Sequence, residues 1–167
     1  MGTVQPRKPD DPEASMTTAQ QPDPFGTMPV ALKGPSGPRA GFWLRFAAFF
    51  LDLFILLVPY IALVVVVGAP AAKTLMLFVA TAYFALLESS PSGQTLGEKA
   101  AGIRVIDLHT GGSISVGRSL IRTLGRWVSF FVFGLGYLWM LWDPEKQTWH
   151  DKMGGAVMVP VRAYPIG

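Results

Sequence analysis

Apolar residues cluster in two long runs near the middle of the chain. Over residues 46–72 the only charged side chain is Asp52, inside the run LFILLVPYIALVVVV. About 20 consecutive apolar residues are needed to cross the hydrocarbon of a bilayer, so a first spanning helix is expected over Phe42–Val67. Trp43 and Arg45 stand at its entrance as interfacial anchors, and Pro59 is placed to kink it. Gly68, Ala69 and Pro70 read as a turn, followed by a second helix over 71–87, with Lys73 near its start and able to snorkel. A third apolar stretch, 127–142, is short for a span. It becomes long enough if the helix begins at Arg118, giving a span over 118–142. Gly134-Leu135-Gly136 supports an alternative, the tip of a re-entrant hairpin.

The polar segments divide differently. Residues 1–38 hold eight of the fourteen prolines and no sustained apolar period, a composition that buries too little apolar surface to fold. A solvated, disordered tail is expected there, with no secretory signal peptide. Between the second and third apolar stretches, residues 103–108 and 113–116 flank His109-Thr110-Gly111-Gly112 and read as a β-hairpin. Residues 156–162 are also β-like and offer a third strand. Arg118, Arg122 and Arg126 recur every four residues, the pattern of a basic amphipathic helix lying among lipid headgroups. The fold class is therefore an α-helical integral membrane protein. It has three membrane segments, or four if the last one re-enters, and a small cytoplasmic β-hairpin or three-stranded sheet. Residues 39–162 form its transmembrane domain and 163–167 a short tail.

Composition agrees with that class. Half of the residues are hydrophobic and only 15% are charged, against roughly 25% in soluble domains. The chain has no cysteine, which excludes disulfides and thiolate metal sites. Its net charge of +3 is too diffuse for a nucleic-acid surface. Five Lys or Arg precede or open the first span, one lies near the turn, and five lie between Glu88 and Arg126. By the positive-inside rule the N-terminus and the middle loop are cytoplasmic. Lys146, Lys152, Arg162 and the β-like tail favour a cytoplasmic C-terminus as well. The expected location is the cell membrane, multi-pass, with the lipid bilayer as partner and with other membrane proteins or further copies of the chain as candidate partners.

Most chemical readings fail on spacing. Gly93 to Lys99 lacks the phosphate-loop pattern. His150 beside Asp151 has no accompanying nucleophile motif and reads as a capping or tail-docking dyad. His109 and His150 do not make a metal site. Trp127, Tyr137, Trp139, Trp142 and Trp149 suit an interfacial aromatic belt. No catalytic residue, cofactor or metal ligand is assigned. Asp52 stands apart, because an intramembrane carboxylate must be paired, protonated or functional. It follows Arg45 by two helical turns, about 10 Å along the axis, and Arg45, Arg122 or Arg126 is its expected ion-pair partner.

These residues, taken in order, resemble the RDD family of membrane proteins. The resemblance rests on Arg45 at the mouth of the first helix, Asp52 within it and Asp151 in the tail. It also rests on Ser92-Gly93-Gln94-Thr95-Leu96-Gly97-Glu98-Lys99, Gly102-Ile103-Arg104-Val105, Arg122 in a Ser-Leu-Ile-Arg segment, Gly134-Leu135-Gly136-Tyr137, and Gln147-Thr148-Trp149-His150-Asp151-Lys152. Where the family commonly continues His-Asp with a small residue, Gly and Thr, this chain has Met153-Gly154-Gly155-Ala156. The resemblance implies a multi-pass domain of mostly unassigned role, with ion transport suggested for some members. The functional candidates are Arg45, Asp52, Arg122, Arg126, His150 and Asp151. Two function classes follow: a structural or accessory membrane module, or a small oligomeric ion or proton-linked transporter using Asp52. An enzyme is not expected.

Overall fold

Twenty-six residues, Phe42–Val67, form the first helix, α1, in a computed structural model that describes residues 37–132 and 134–166. The proline-rich tail expected over 1–38 lies outside the described residues except for its last two positions, as does Gly167. At 1.5 Å per residue α1 is about 39 Å long, more than the ~30 Å hydrocarbon core. Pro59 sits inside it without ending it. Gly68 alone makes the turn, at φ 79°, and α2 follows over Ala69–Glu88. Ala69 and Pro70 therefore belong to the second helix, because proline is tolerated in a first turn, where its missing N–H would have no partner. Leu56 of α1 packs on Ala80 and Phe84 of α2. Both helices are long and apolar enough to cross a membrane.

Burial in these helices is inverted relative to a soluble protein. The buried residues of α1 are Arg45, Ala48, Asp52 and Leu56, one stripe at helical spacing, while Trp43, Phe54, Val58, Val65 and Val66 are exposed. A further helix, α4, spans Val116–Phe131 and buries Ser119, Arg122, Thr123, Gly125, Arg126 and Ser129. Its exposed face carries Leu124, Val128, Phe130 and Phe131. The arginines expected among headgroups are thus turned into the protein at Arg122 and Arg126, and only Arg118 stays near the surface. The helix expected over 118–142 is not continuous. It stops at Phe131, Gly134 adopts a left-handed conformation, and the chain resumes as α5, Leu135–Leu138, with a 3-10 turn over Trp139–Leu141. The two pieces are bent by 112°.

Between these lie two short units built on one plan. Gln94-Thr95 leads into α3, Leu96–Ala100, and then into strand β1, Ile103–Asp107. Gln147-Thr148 leads into α6, Trp149–Gly154, and then into strand β2, Ala156–Pro160. Each helix opens with a capping box, Thr95 with Glu98 and Thr148 with Asp151, which satisfies two otherwise orphaned N–H groups. Each unit turns into its strand on a left-handed glycine, Gly102 at φ 66° and Gly155 at φ 58°. In each, the glutamine side-chain amide donates to the carbonyl nine residues on, Gln94 to Ile103 and Gln147 to Ala156, both at 2.7 Å. The strands pair antiparallel with Ile103 opposite Pro160 and Asp107 opposite Ala156. The start of each strand therefore faces the end of the other.

This two-stranded sheet replaces the expected hairpin and the three-stranded alternative. Residues 113–116 form no strand. The turn does form, with the Asp107 carboxylate accepting from the N–H groups of His109 and Thr110 at 2.7 and 2.8 Å. Both edges of β1 are already occupied, one by β2 and the other by Gly93, whose carbonyl accepts from the Val105 N–H at 2.7 Å. Ser115 caps α4 instead. One face of the ribbon packs with Ala40, Ala48 and Ile114 and the other with Leu108 and Tyr164, so the small sheet is covered on both sides.

The repeated glycines give a paired test. A Cβ on Gly102 meets nothing within 4 Å, whereas one on Gly155 lands on the Arg118 guanidinium. That guanidinium donates to the Gly154 and Gly155 carbonyls at 2.8 and 2.6 Å and pairs with Asp107. Gly102→Ala should lower stability by about 1–2 kcal/mol from backbone strain alone. Gly155→Ala should lower it clearly more. Melting temperatures in detergent check both, and equal losses would contradict the contact.

Candidate functional site

The inward stripes of α1, α2 and α4 meet the first turns of α3 and α6, and the charged residues meet there. Arg45, from the start of α1, donates through Nη1 to Asp151 Oδ2 at 2.5 Å. Its remaining donors reach backbone carbonyls, Nε to Ala40 at 3.1 Å and Nη2 to Lys146 at 2.9 Å. Arg122 Nε donates to the other Asp151 oxygen, Oδ1, at 2.8 Å. Arg122 Nη1 pairs with Glu88 Oε2, and Arg126 Nη2 donates to Glu88 Oε1. Arg126 also stacks on Phe84, its guanidinium carbon 4.3 Å from the ring centroid. The result is a ladder, Arg45–Asp151–Arg122–Glu88–Arg126, linking α1, α6, α4 and α2. Every member is at most 8% exposed, and Glu88, Arg122 and Asp151 are fully buried.

Asp52 does not join this ladder, contrary to the expected arginine pair. Its Oδ1 accepts from the Tyr83 hydroxyl at 2.6 Å and from the Gly97 N–H at 2.7 Å, and its Oδ2 accepts from the Thr95 hydroxyl at 2.6 Å. The shared helical face is real, but the long Arg45 side chain extends to α6 while the short Asp52 meets α3. Three neutral donors satisfy a buried carboxylate without a counter-ion. Asp52 thereby fixes α3 against α1, as Asp151 fixes α6 against α1 and α4. Asp151 also serves as the capping-box acid of α6, accepting from the Thr148 N–H at 3.2 Å.

Three titrating groups lie on the short helices. Burial lifts the Glu98 carboxyl to about 8, with the nearby Glu88 carboxylate adding to the shift against the opposing arginines. Burial also raises Asp151, but Arg122 and Arg45 outweigh it and hold that carboxyl well below its usual range. His150 is driven well below its ordinary value by burial, with Arg126, Arg122 and Arg45 adding to the shift against the pull of Asp151. Its Nε2 lies 3.9 Å from Asp151 Oδ1, beyond hydrogen-bond range. Its ring packs instead on Tyr137 at 4.8 Å between centroids. His150 and Asp151 are thus not joined as a hydrogen-bonded pair: Asp151 caps α6 and binds the arginines, while the imidazole is packed against an aromatic ring. A cavity of about 30 Å³ remains among Arg45, Asp52, Glu98, Arg122, Arg126 and His150.

All six candidates read from the sequence come to this one site. Arg45, Arg122, Arg126 and Asp151 are bonded in the ladder, His150 lines the cavity, and Asp52 borders it. Glu88, Glu98, Tyr83, Thr95 and Thr148 were not singled out. The two capping boxes were nonetheless visible as Thr-x-x-Glu and Thr-x-x-Asp. Among the described residues no group of three His, Asp or Glu side chains is placed to hold a metal.

A family model described as the RDD family matches residues 39–155. The chain belongs to the RDD family. Of the charged residues that carried the resemblance, Arg45 and Asp151 are in direct contact and Asp52 has its own cradle. The uncharacterized protein YxaI of Bacillus subtilis (strain 168) is 32% identical over 139 residues, covering 67% of this chain and 91% of that protein. A proline-rich antigen homolog of Mycobacterium tuberculosis (strain ATCC 25618 / H37Rv) is 32% identical over 69 residues, 41% of this chain and 29% of that protein. The proline-rich antigen of Mycobacterium leprae (strain TN) is 33% identical over 70 residues, 42% of this chain and 28% of that protein. The chain thus matches less than a third of either mycobacterial protein. No solved structure matches it.

Glu98 supplies a pH test. The folded protein holds its proton up to about pH 8, whereas the unfolded chain releases it near the ordinary value of 4.5. Between those values the folded state binds more protons, so this group makes stability fall as pH rises, by up to about 1.4 kcal/mol per unit. Glu98→Gln keeps an oxygen for the Thr95 N–H and should flatten the melting-temperature profile between pH 5 and 8. An unchanged profile would contradict a protonated Glu98.

Proposed function

We propose that the chain is a multi-pass cell-membrane module whose role is structural or accessory. The observation that carries the reading is the inverted burial. Charged side chains fill the interior of α1 and α4 while aromatic and aliphatic ones cover the outside. Water penalises such a surface and lipid does not, and buried ionisable groups in membrane helices face the interior and pair with one another.

The sheet supports a topology of two crossings. β1 follows α2, β2 follows the bent α4–α5 segment, and they hydrogen-bond to each other, so the chain between them leaves and returns on one side. In this reading α4 and α5 form a re-entrant element. The Ala40 N–H also donates to Met158 at 2.9 Å, which sets the entrance of α1 beside the same sheet. The positive-inside bias makes that side cytoplasmic, along with the N-terminus. The ladder's charges hold helices together, and the interior cavity of about 30 Å³ is too small for a pathway. This supports a module that presents its cytoplasmic face to other membrane proteins or to a second copy, and no catalysis is assigned to it. Transport through Asp52 is the weaker reading, because its carboxylate is already engaged by Tyr83 of α2, by Thr95 at the cap of α3 and by Gly97 within α3.

Reporters inserted at Gly112 and fused after Gly167 should both read cytoplasmic, and one at Gly68 should read the opposite side. Opposite signals from Gly112 and Gly167 would contradict the re-entrant element. Purification from the native membrane should recover a stoichiometric membrane-protein partner or a self-assembly, and proteoliposomes should show no proton or sodium flux above empty vesicles. Flux that Asp52→Asn abolishes would establish the transporter instead.

A further inference from the structure

The ladder leaves donors unused at its centre. Arg122 Nη1 and Glu88 Oε2 pair with each other, yet Arg122 Nη2, Arg126 Nη1, the Tyr137 hydroxyl and His150 Nδ1 are buried with no hydrogen-bond partner. All four residues line the same cavity, whose volume is about 30 Å³. Leaving a buried donor unsatisfied costs about 1–3 kcal/mol, and more for a charged group. Four such groups converging on one void therefore point to something that fills it. The void holds one or two waters or one monatomic ion.

The unused hydrogen-bonding groups decide between the signs. Arg45, Arg122 and Arg126 are balanced in charge by Glu88 and Asp151 of the ladder and by Asp52, which also lines the cavity. The Asp52 carboxylate is engaged by Tyr83, Thr95 and Gly97. Glu98, the remaining acid at the cavity, keeps its proton near neutral pH. Two guanidinium N–H groups can only donate, and the Tyr137 hydroxyl and a neutral His150 with its proton on Nδ1 complete a shell of four donors. We propose that this cavity binds a single halide-sized anion, chloride being the abundant one, which completes the hydrogen bonding of Arg122, Arg126, Tyr137 and His150. A phosphate ester, whether free or on a lipid, is too large for it.

The test uses the full chain purified in detergent, with the anion exchanged at constant ionic strength. Chloride and bromide should raise the melting temperature saturably over gluconate and sulfate, because a ligand that binds only the folded state stabilises it by mass action. Tyr137→Phe removes one donor and should cut the chloride affinity several-fold relative to wild type. If that variant does not fold, the wild-type protein alone still decides: it should broaden the chloride-35 resonance, and bromide should reverse the broadening. Indifference to halide in both measurements would mean that the cavity holds water only and would overturn the proposal. Equal stabilisation by sulfate, or an undiminished chloride effect in Tyr137→Phe, would overturn it too.

Discussion

A guanidinium group removed from water without a counter-charge carries a penalty of several kcal/mol, and this chain buries three within one small region. Their placement is tolerable because Asp151 bridges Arg45 to Arg122 and Glu88 bridges Arg122 to Arg126. Each bridge joins elements distant in sequence, and no single helix can satisfy its own charge. The helices must therefore assemble together, and the ladder sets how α1, α2, α4 and α6 meet. Pairing of this kind adds little net stability over an apolar core. It does penalise any arrangement in which one charge is left over.

The rest of the architecture follows from that constraint. With the polar groups committed inward, the apolar side chains of α1 and α4 have no core to enter and form the outer surface. The capping boxes tie the ladder to the sheet. Glu98 and Asp151 occupy equivalent places in two units of the same design, yet differ in environment: Asp151 pairs with two arginines and stays ionised, while Glu98 is buried near the Glu88 carboxylate and keeps its proton. The same local motif thus provides one charged and one neutral acid beside the same cavity.

Much of this was legible in the sequence. The run around Asp52 is long, uninterrupted and apolar, so α1 was readable to its ends. Arg45, Arg122, Arg126 and Asp151 drew attention as charges with no obvious place in a membrane segment. Their partners were not readable, because pairing across helices depends on tertiary placement that spacing along one helix cannot supply. Asp52 shows the difficulty: helical spacing correctly set it on the face of Arg45, but side-chain length sent the two in different directions. The hairpin failed for a related reason. Gly111-Gly112 does mark a turn, but Gly93 and β2 already occupy the edges of β1. The matching Gln-Thr capping segments followed by glycine and a strand were written in the chain at equal spacing, and they were the available signal for Glu98 and for the pairing of β1 with β2.

A double-mutant cycle on Glu88 and Arg126 tests the ladder most directly, since both are buried and come from different helices. Stability would be measured for wild type, Glu88→Gln, Arg126→Met and the double variant in the same detergent. If the ladder sets the assembly, each single change strands a charge, and the pair shows a coupling energy of about 2–3 kcal/mol. Additive losses, with a coupling below about 0.5 kcal/mol, would contradict the account.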